Sequence, residues 1–395
     1  MRKIRLFIEG IVVTILVLIT TFLLSLTPFK NEYIKPIPQG GGDFDIYDLN
    51  YSKNGVKKLA KDTNIVIVEI AGNRREIAAQ INLIEKFNPT VIAIDAVFVG
   101  RKDSIGDKKL VEVVSQYDNL VFAYDFDFKG DSLSNVNYWD AFMRSRIAGY
   151  INFPTEQFSV VRKYYPFVNL NNVEQLSFTS EIAKNFFPNE FKELKNRGNL
   201  SEVINYTGNL ERYLSFTNEE IKYYAAKNQL SKVVNNKVVL LGYFVKQEPL
   251  VLEDLHFTPL NDRISGRSFP DMYGVVVHAN VLSMILNGNY VNQVSGISSY
   301  LISGVFVFGF LSLILFRHQK NSQIKKGWLI AIQFVLIIIL VYIALLLFKF
   351  FLIKVYLLPI IISLIISIEM LNVYKSIAIW LGKRTNYSTV FKSTL

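Results

Sequence analysis

The stretch from Ile65 to Phe98, IVIVEIAGNRREIAAQINLIEKFNPTVIAIDAVF, constrains the chain most. Its first four residues are an unbroken β-branched run, which suits a strand buried on both faces and ending at Glu69. Ile77, Ile81, Ile84 and Phe87 then recur at helical spacing with charged residues between them. Asn88-Pro89 ends that helix, because Pro89 has no amide hydrogen and disfavours the α conformation before it. Val91 to Ile94 repeats the first strand and also ends on an acid, Asp95. Strand, helix and strand in about thirty residues form a parallel βαβ unit with a right-handed crossover. Both acids then fall at carboxyl ends of parallel strands, where open α/β sheets bind ligands.

The rhythm continues. A helix is predicted from Ile105 to Tyr117, and Leu120 to Tyr124 reads as another buried strand ending on an acid, Asp125. Residues 127 to 140 read as a polar loop. Ala148 to Phe153 and Val160 to Val168 read as two strands joined by a turn around Pro154. Leu176 to Phe187 reads as a helix and Val203 to Tyr206 as a short strand. Thr217 or Asn218 is placed to cap a helix with Glu219 and Glu220 in its first turn. Lys237 to Gly242 is the last clear buried strand. A polar loop through Glu253, Asp254, His256, Thr258 and Pro259 leads to an amphipathic helix, Val275 to Leu286, ended by Asn287-Gly288. The expected class is an α/β domain with a largely parallel central sheet.

A hydrophobic content of 51 % with a mean hydropathy of +0.26 points to membrane segments as well. Ile11 to Leu26, extended by Leu6 to Ile8, is long enough to span a bilayer, as are Ser298 to Phe316, Gly327 to Phe348 and Val355 to Tyr374. A cleaved signal peptide is the rival reading for the first; its length and the poor cleavage site at Thr27-Pro28-Phe29 favour an uncleaved anchor. Eleven basic residues flank one side of these spans and only Lys349 and Lys354 the other. The excess belongs in the cytoplasm, which puts both termini inside and the large domain outside. The expected boundaries are an anchor at 1–27, a linker at 28–55 holding Gly40-Gly41-Gly42, the extracytoplasmic domain at 56–296, three spans at 297–375 and a tail at 376–395.

The net charge of +10 resides in those membrane flanks. Between Pro28 and Gly296 there are 30 Lys and Arg against 31 Asp and Glu, so the domain carries no nucleic-acid footprint. The absence of cysteine excludes disulfides, thiolate metal sites and cysteine nucleophiles. Glu69, Asp95 and Asp125 form a candidate trio for a cation or basic ligand at one sheet edge; the competing reading is that each caps a helix or turn, and it carries more weight. His278 with Asp254 and His256 is a candidate metal or acid–base set, set against the weightier reading of a hydrogen-bonded core histidine on an apolar helix. Glu369, in the last span, is placed to reach the interface. No nucleotide, zinc-helix or hydrolase motif occurs, so neither enzyme activity, a resident metal nor a cofactor is expected.

Several segments together resemble a known family: IVIVEI, TVIAIDAVF followed by GDKKLVEVV, KVVLLGYFVKQEPLVLEDLHFTPL, and YGVVVHANVLSMILNG. The likeness rests on Asp95 and Phe98, Asp107, Gly242, Asp254, Thr258-Pro259, Gly274, and His278-Ala279-Asn280. It covers roughly Val56 to Val294 and is similar to the type-2 CHASE domain, a cyclase/histidine-kinase-associated sensory extracellular domain. The resemblance implies a sensor outside the cytoplasmic membrane, without chemistry of its own. Where the family often has paired acids after the first strand, this chain has Glu69 and Ala71. The family usually continues from its membrane helices into an output domain, whereas residues 376–395 are too short to fold alone. The resemblance therefore implies a ligand or envelope protein as input, relay to a separate membrane or cytoplasmic output protein, and possible homo-oligomers. The alternative function is a structural or docking subunit of a cell-envelope complex.

Overall fold

A computed structural model describes residues 2–26, 45–51, 60–129, 132–137, 146–153, 160–170, 172–246, 254–261, 269–319, 325–385 and 387–391. The glycines of the expected linker, the turn at Pro154 and Glu253 lie outside the described residues. Two compact units result, Ile37–Val291 and a second made of Met1–Pro36 with Asn292–Leu395.

The first unit is built on a sheet of β1 (Asp62–Glu69), β2 (Val91–Val97), β3 (Leu120–Lys129), β4 (Ser132–Asn137), β5 (Ala148–Tyr150), β6 (Tyr213–Phe216) and β7 (Val238–Gly242). Six strands run parallel in the order β6-β1-β7-β2-β3-β5, and β4 pairs antiparallel with the far half of β3. The buried runs read from sequence are its centre: Ile65, Ile67, Ile92, Ala93, Val121, Phe122, Val239 and Leu240 are fully inaccessible. Their lack of polar alternation follows from helices on both faces. Val66, Val68, Ile92, Ile94, Phe122, Val239 and Leu241 share a core with α2 (Arg74–Glu85), α3 (Ser104–Gln116) and α6 (Asn218–Ala226). The alternate positions face the layer of α4 (Phe178–Phe186) and the last helix of the unit, α7 (Gly274–Asn287). Between them in the chain, α5 (Pro188–Arg197) follows α4 directly.

Local chemistry sets the boundaries. Asn73 caps α2 through Glu76 N at 3.0 Å, and α2 ends at Glu85, two residues short of Phe87; Asn88, next in the chain, takes a φ of +52°. Thr217 and Glu220 form a capping box on α6, satisfying two otherwise orphan amides.

Three expectations differ. Residues 127–129 and 132–137 form a hairpin, not a loop, because β3 runs past the parallel core and pairs with β4. The two strands expected around Pro154 do not pair with each other: β5 joins the main sheet beside β3, while Lys163–Tyr164 pairs with Glu202–Val203 and Phe167–Leu170 with Val173–Leu176. Helix α7 is not amphipathic, since every residue from Gly274 to Ile285 is buried. Its approach to the sheet requires Gly242: a Cβ there would lie 2.5 Å from Cβ of Val275. Overpacking costs about 1–3 kcal/mol, so Gly242→Ala is expected to lower the thermal midpoint of the domain, measured by circular dichroism.

The second unit holds four helices long and apolar enough to cross a membrane. They are α1 (Arg2–Leu26), α8 (Gly296–Gln319), α9 (Lys326–Phe351) and α10 (Leu357–Arg384). α1, α8 and α10 pack together, and α9 joins them through α10. The last helix runs ten residues past Tyr374, through part of the expected tail. Small polar residues tie the helices where no water can: Ser303 meets Ser363, and Gln333 donates to the carbonyl of Leu364. Glu369 is exposed beside Lys326, 2.9 Å away.

Candidate functional site

Asp95 shares the parity of Ala93 in β2, so its side chain leaves the sheet on the side of α4 and α7. There it meets His278, one turn into α7, with Oδ1 and Nε2 4.0 Å apart. That is beyond hydrogen-bond range. Both side chains are buried, 8 % and 6 % exposed, and among the described residues neither makes a hydrogen bond. The other polar residues of the same buried helix behave differently. Asn280 accepts from Thr207 N at 2.9 Å and donates to the carbonyl of Gly208 at 3.0 Å, while Ser283 donates to Asp62 at 2.7 Å. His278 is thus a core histidine, as its apolar helix implies, but among the described residues not a hydrogen-bonded one.

The mouth of the site comes from a short antiparallel pair, Leu255–His256 with Met272–Tyr273. Thr258 closes it, donating to Asp271 through its amide at 2.8 Å and its hydroxyl at 2.6 Å. This pair brings Asp254 and His256 to the start of α7. Gly274 N donates to the carbonyl of Asp254 at 3.1 Å, and the Asp254 carboxylate covers the place where Gly274 would carry a Cβ. His256 Nε2 stands 3.8 Å from Asp254 Oδ1, with side chains 32 % and 46 % exposed. Phe153 stacks on His278 with centroids 4.8 Å apart and meets His256 edge-on at 5.5 Å; Phe178, at the start of α4, meets His278 at 5.4 Å.

Burial, reinforced by the nearby Asp254 charge, holds the Asp95 carboxyl well above the usual carboxylate range. Burial pushes Asp254 up to about 6 against the opposing pull of the Gly274 amide. It lowers His256, and it takes His278 down to about 3 with help from His256. Among the described residues no lysine or arginine offsets these groups. Half-exposed Asp254 and His256 and buried His278 and Asp95 thus form one cluster of titratable groups whose charged forms are disfavoured by burial. Among the described residues no three His, Asp or Glu side chains converge as a metal-ligand set.

The structure brings Asp95, Asp254 and His278 together and parts them from Glu69 and Asp125. β7 lies between β1 and β2, so Glu69 pairs with Gly242 and its carboxylate accepts from Asn218 N at 3.3 Å, at the start of α6. Asp125 lies on β3 where the hairpin begins and accepts from Asn152. The trio at one edge is corrected to a single acid, Asp95: β7 separates Glu69 from it, and Asp125 lies on β3 beyond Ala123, the last residue of that strand paired with β2. Asp107 is spent on structure: its carboxylate meets buried Arg74 at 2.5 Å, and Arg74 also donates to the carbonyl of Gly100 at 2.7 Å. Phe153 and Phe178 were not legible as site residues, being two of many dispersed aromatics.

Residues 43–316 match the family model of the CHASE2 domain. No curated protein matches the chain. No solved structure matches it.

Proposed function

Because the chain belongs to the CHASE2 family of extracellular sensory domains, we propose that it is a membrane-bound sensor that relays a stimulus through its membrane helices to a separate output protein. The observation that carries this reading is the unpartnered Asp95–His278 pair, reached through Asp254 and His256 and seated on α7. Helix α7 is followed within ten residues by α8, so a change at the pair acts on the segment that enters the membrane unit. The basic flanks support an inner-membrane orientation with the domain outside and both termini in the cytoplasm. The chain is assigned no catalysis of its own.

Crosslinking in native membranes, purification of the full chain and identification of its partners test the reading. One signalling protein at near-stoichiometric yield, with its output altered by Asp95→Asn and His278→Gln, is the expected result. Recovery of envelope-assembly components alone would replace the sensor with a docking subunit. Cyclase or kinase turnover by the purified chain would remove the need for a separate output.

A further inference from the structure

At the opposite end of the sheet, where β1 begins, lies a cleft of about 390 Å³, within the ~300–1,000 Å³ range of small-molecule sites. Its walls come from the residues opening β1, from the segment before β6, and from the last turn of α7 with the residues after it. Four asparagines line it: Asn64, Asn205, Asn287 and Asn289. Asn205 donates its amide to the carbonyl of Asn289 at 3.0 Å, and Asn287 donates to the carbonyl of Ser283 at 2.8 Å. Their side-chain oxygens accept nothing among the described residues, and the side chains of Asn64 and Thr63 likewise form no bond there. Charges of both signs are present: Asp62, accepting from Ser283 and from Asn64 N at 3.0 Å, shares the lining with Lys61 and with Arg212, which donates to the carbonyl of Ala60.

This lining selects by hydrogen-bond polarity. A phosphate or carboxylate only accepts, so the amide oxygens and Asp62 would oppose it. An ammonium only donates, so Lys61 and Arg212 would oppose it. A hydroxyl donates and accepts at one atom, so a row of hydroxyls can give to the free amide oxygens of Asn205 and Asn287 and accept from Lys61. We infer that this cleft binds a neutral polyhydroxylated molecule of the saccharide class, one or two rings in size. It is separate from the Asp95 cluster. Recognition rests on hydrogen bonds with little apolar contact beyond Met284, so binding is weak, with a Kd of about 1 mM.

Full-length protein in lipid nanodiscs, titrated by calorimetry and saturation-transfer NMR with glucose, N-acetylglucosamine and maltose, tests this. Phosphate and putrescine serve as anionic and cationic probes. Asn64 and Asn287 are exposed, so the Asn64→Ala/Asn287→Ala protein is expected to fold and to bind the sugar about tenfold or more weakly. Lys232→Ala, outside the cleft, is expected to bind as the wild type does, and sugar binding is read without any partner protein, which keeps this result apart from the fate of the sensor reading. Binding of no sugar, sugar binding unchanged in the double variant, or preference for phosphate or putrescine would each overturn the assignment.

Discussion

Replacing Asp95 by asparagine is expected to stabilise the protein in alkaline solution and to leave it unchanged in acid. The Asp95 carboxyl holds its proton more tightly folded than unfolded, because burial, and then the Asp254 charge, raise its pKa. A carboxyl raised in this way favours the native state below its ordinary pKa, and that advantage is lost as pH climbs through the raised value. Asparagine has no proton to lose, so the variant keeps the advantage. At about pH 8 the gain should be on the order of 1–3 kcal/mol, the cost of a buried polar group without a partner, read as a higher thermal midpoint. The acid limb belongs to His278, whose pKa of about 3 lies below its unfolded value. Its contribution is present above the ordinary histidine pKa and is lost as pH falls toward 3, in the variant as in the wild type. A midpoint lowered at every pH would mean that the carboxylate has a partner and that the cluster is a structural pair.

The second large effect is expected at Arg197. Its Nε and Nη2 grip the Glu202 carboxylate at 2.7 and 3.1 Å, its Nη2 reaches the carbonyl of Val291 at 3.3 Å, and its guanidinium covers the Tyr290 ring at 4.4 Å. Glu202 is only 1 % exposed, whereas Arg197 is 18 % exposed. Arg197→Met leaves the carboxylate buried with Asn199, 2.9 Å away, as its remaining side-chain donor. Breaking a buried pair from one side costs about 3–5 kcal/mol, and the partial exposure of Arg197 places the expected loss near the lower figure. Arg197→Met/Glu202→Leu should recover most of it, because no lone charge remains. A single variant as stable as the double one in urea unfolding would show that solvent screens the pair.

Much of the fold is legible in the residues. Ile65 to Val68, Val91 to Ile94, Leu120 to Tyr124 and Val238 to Gly242 are apolar without alternation, and each is a central strand. The hairpin of β3 and β4 was hidden because its second strand, SLSNVN, has the composition of a loop. Strand order was not legible either. Nothing local to Ile65–Phe98 reveals that β7, some 140 residues later, inserts between β1 and β2. That insertion removes Glu69 from the acidic trio, and the run of β3 into its hairpin with β4 removes Asp125. Asp95, Asp254 and His278 come together because a strand end, a hairpin and a helix start converge, which no spacing along the chain encodes. Glycine 242 and Asn280 carry family resemblance for reasons of packing: one has no room for a side chain, and the other ties α7 to the Thr207–Gly208 turn.

Helix α7 touches the Asp95 cluster through His278 and the polar cleft through its last turn, with His278 and Asn287 about 14 Å apart at 1.5 Å per residue. Core on every side leaves it few intermediate positions, since close-packed interiors deform in discrete steps. If proton occupancy at one end selects among those positions, the other end must report it. The linkage is reciprocal: a solute that binds the cleft tenfold better in one protonation state changes the proton affinity of the cluster by the same factor. Acidity and a dissolved solute would then be read by one rod as a single combined variable, because each occupancy would depend on the other.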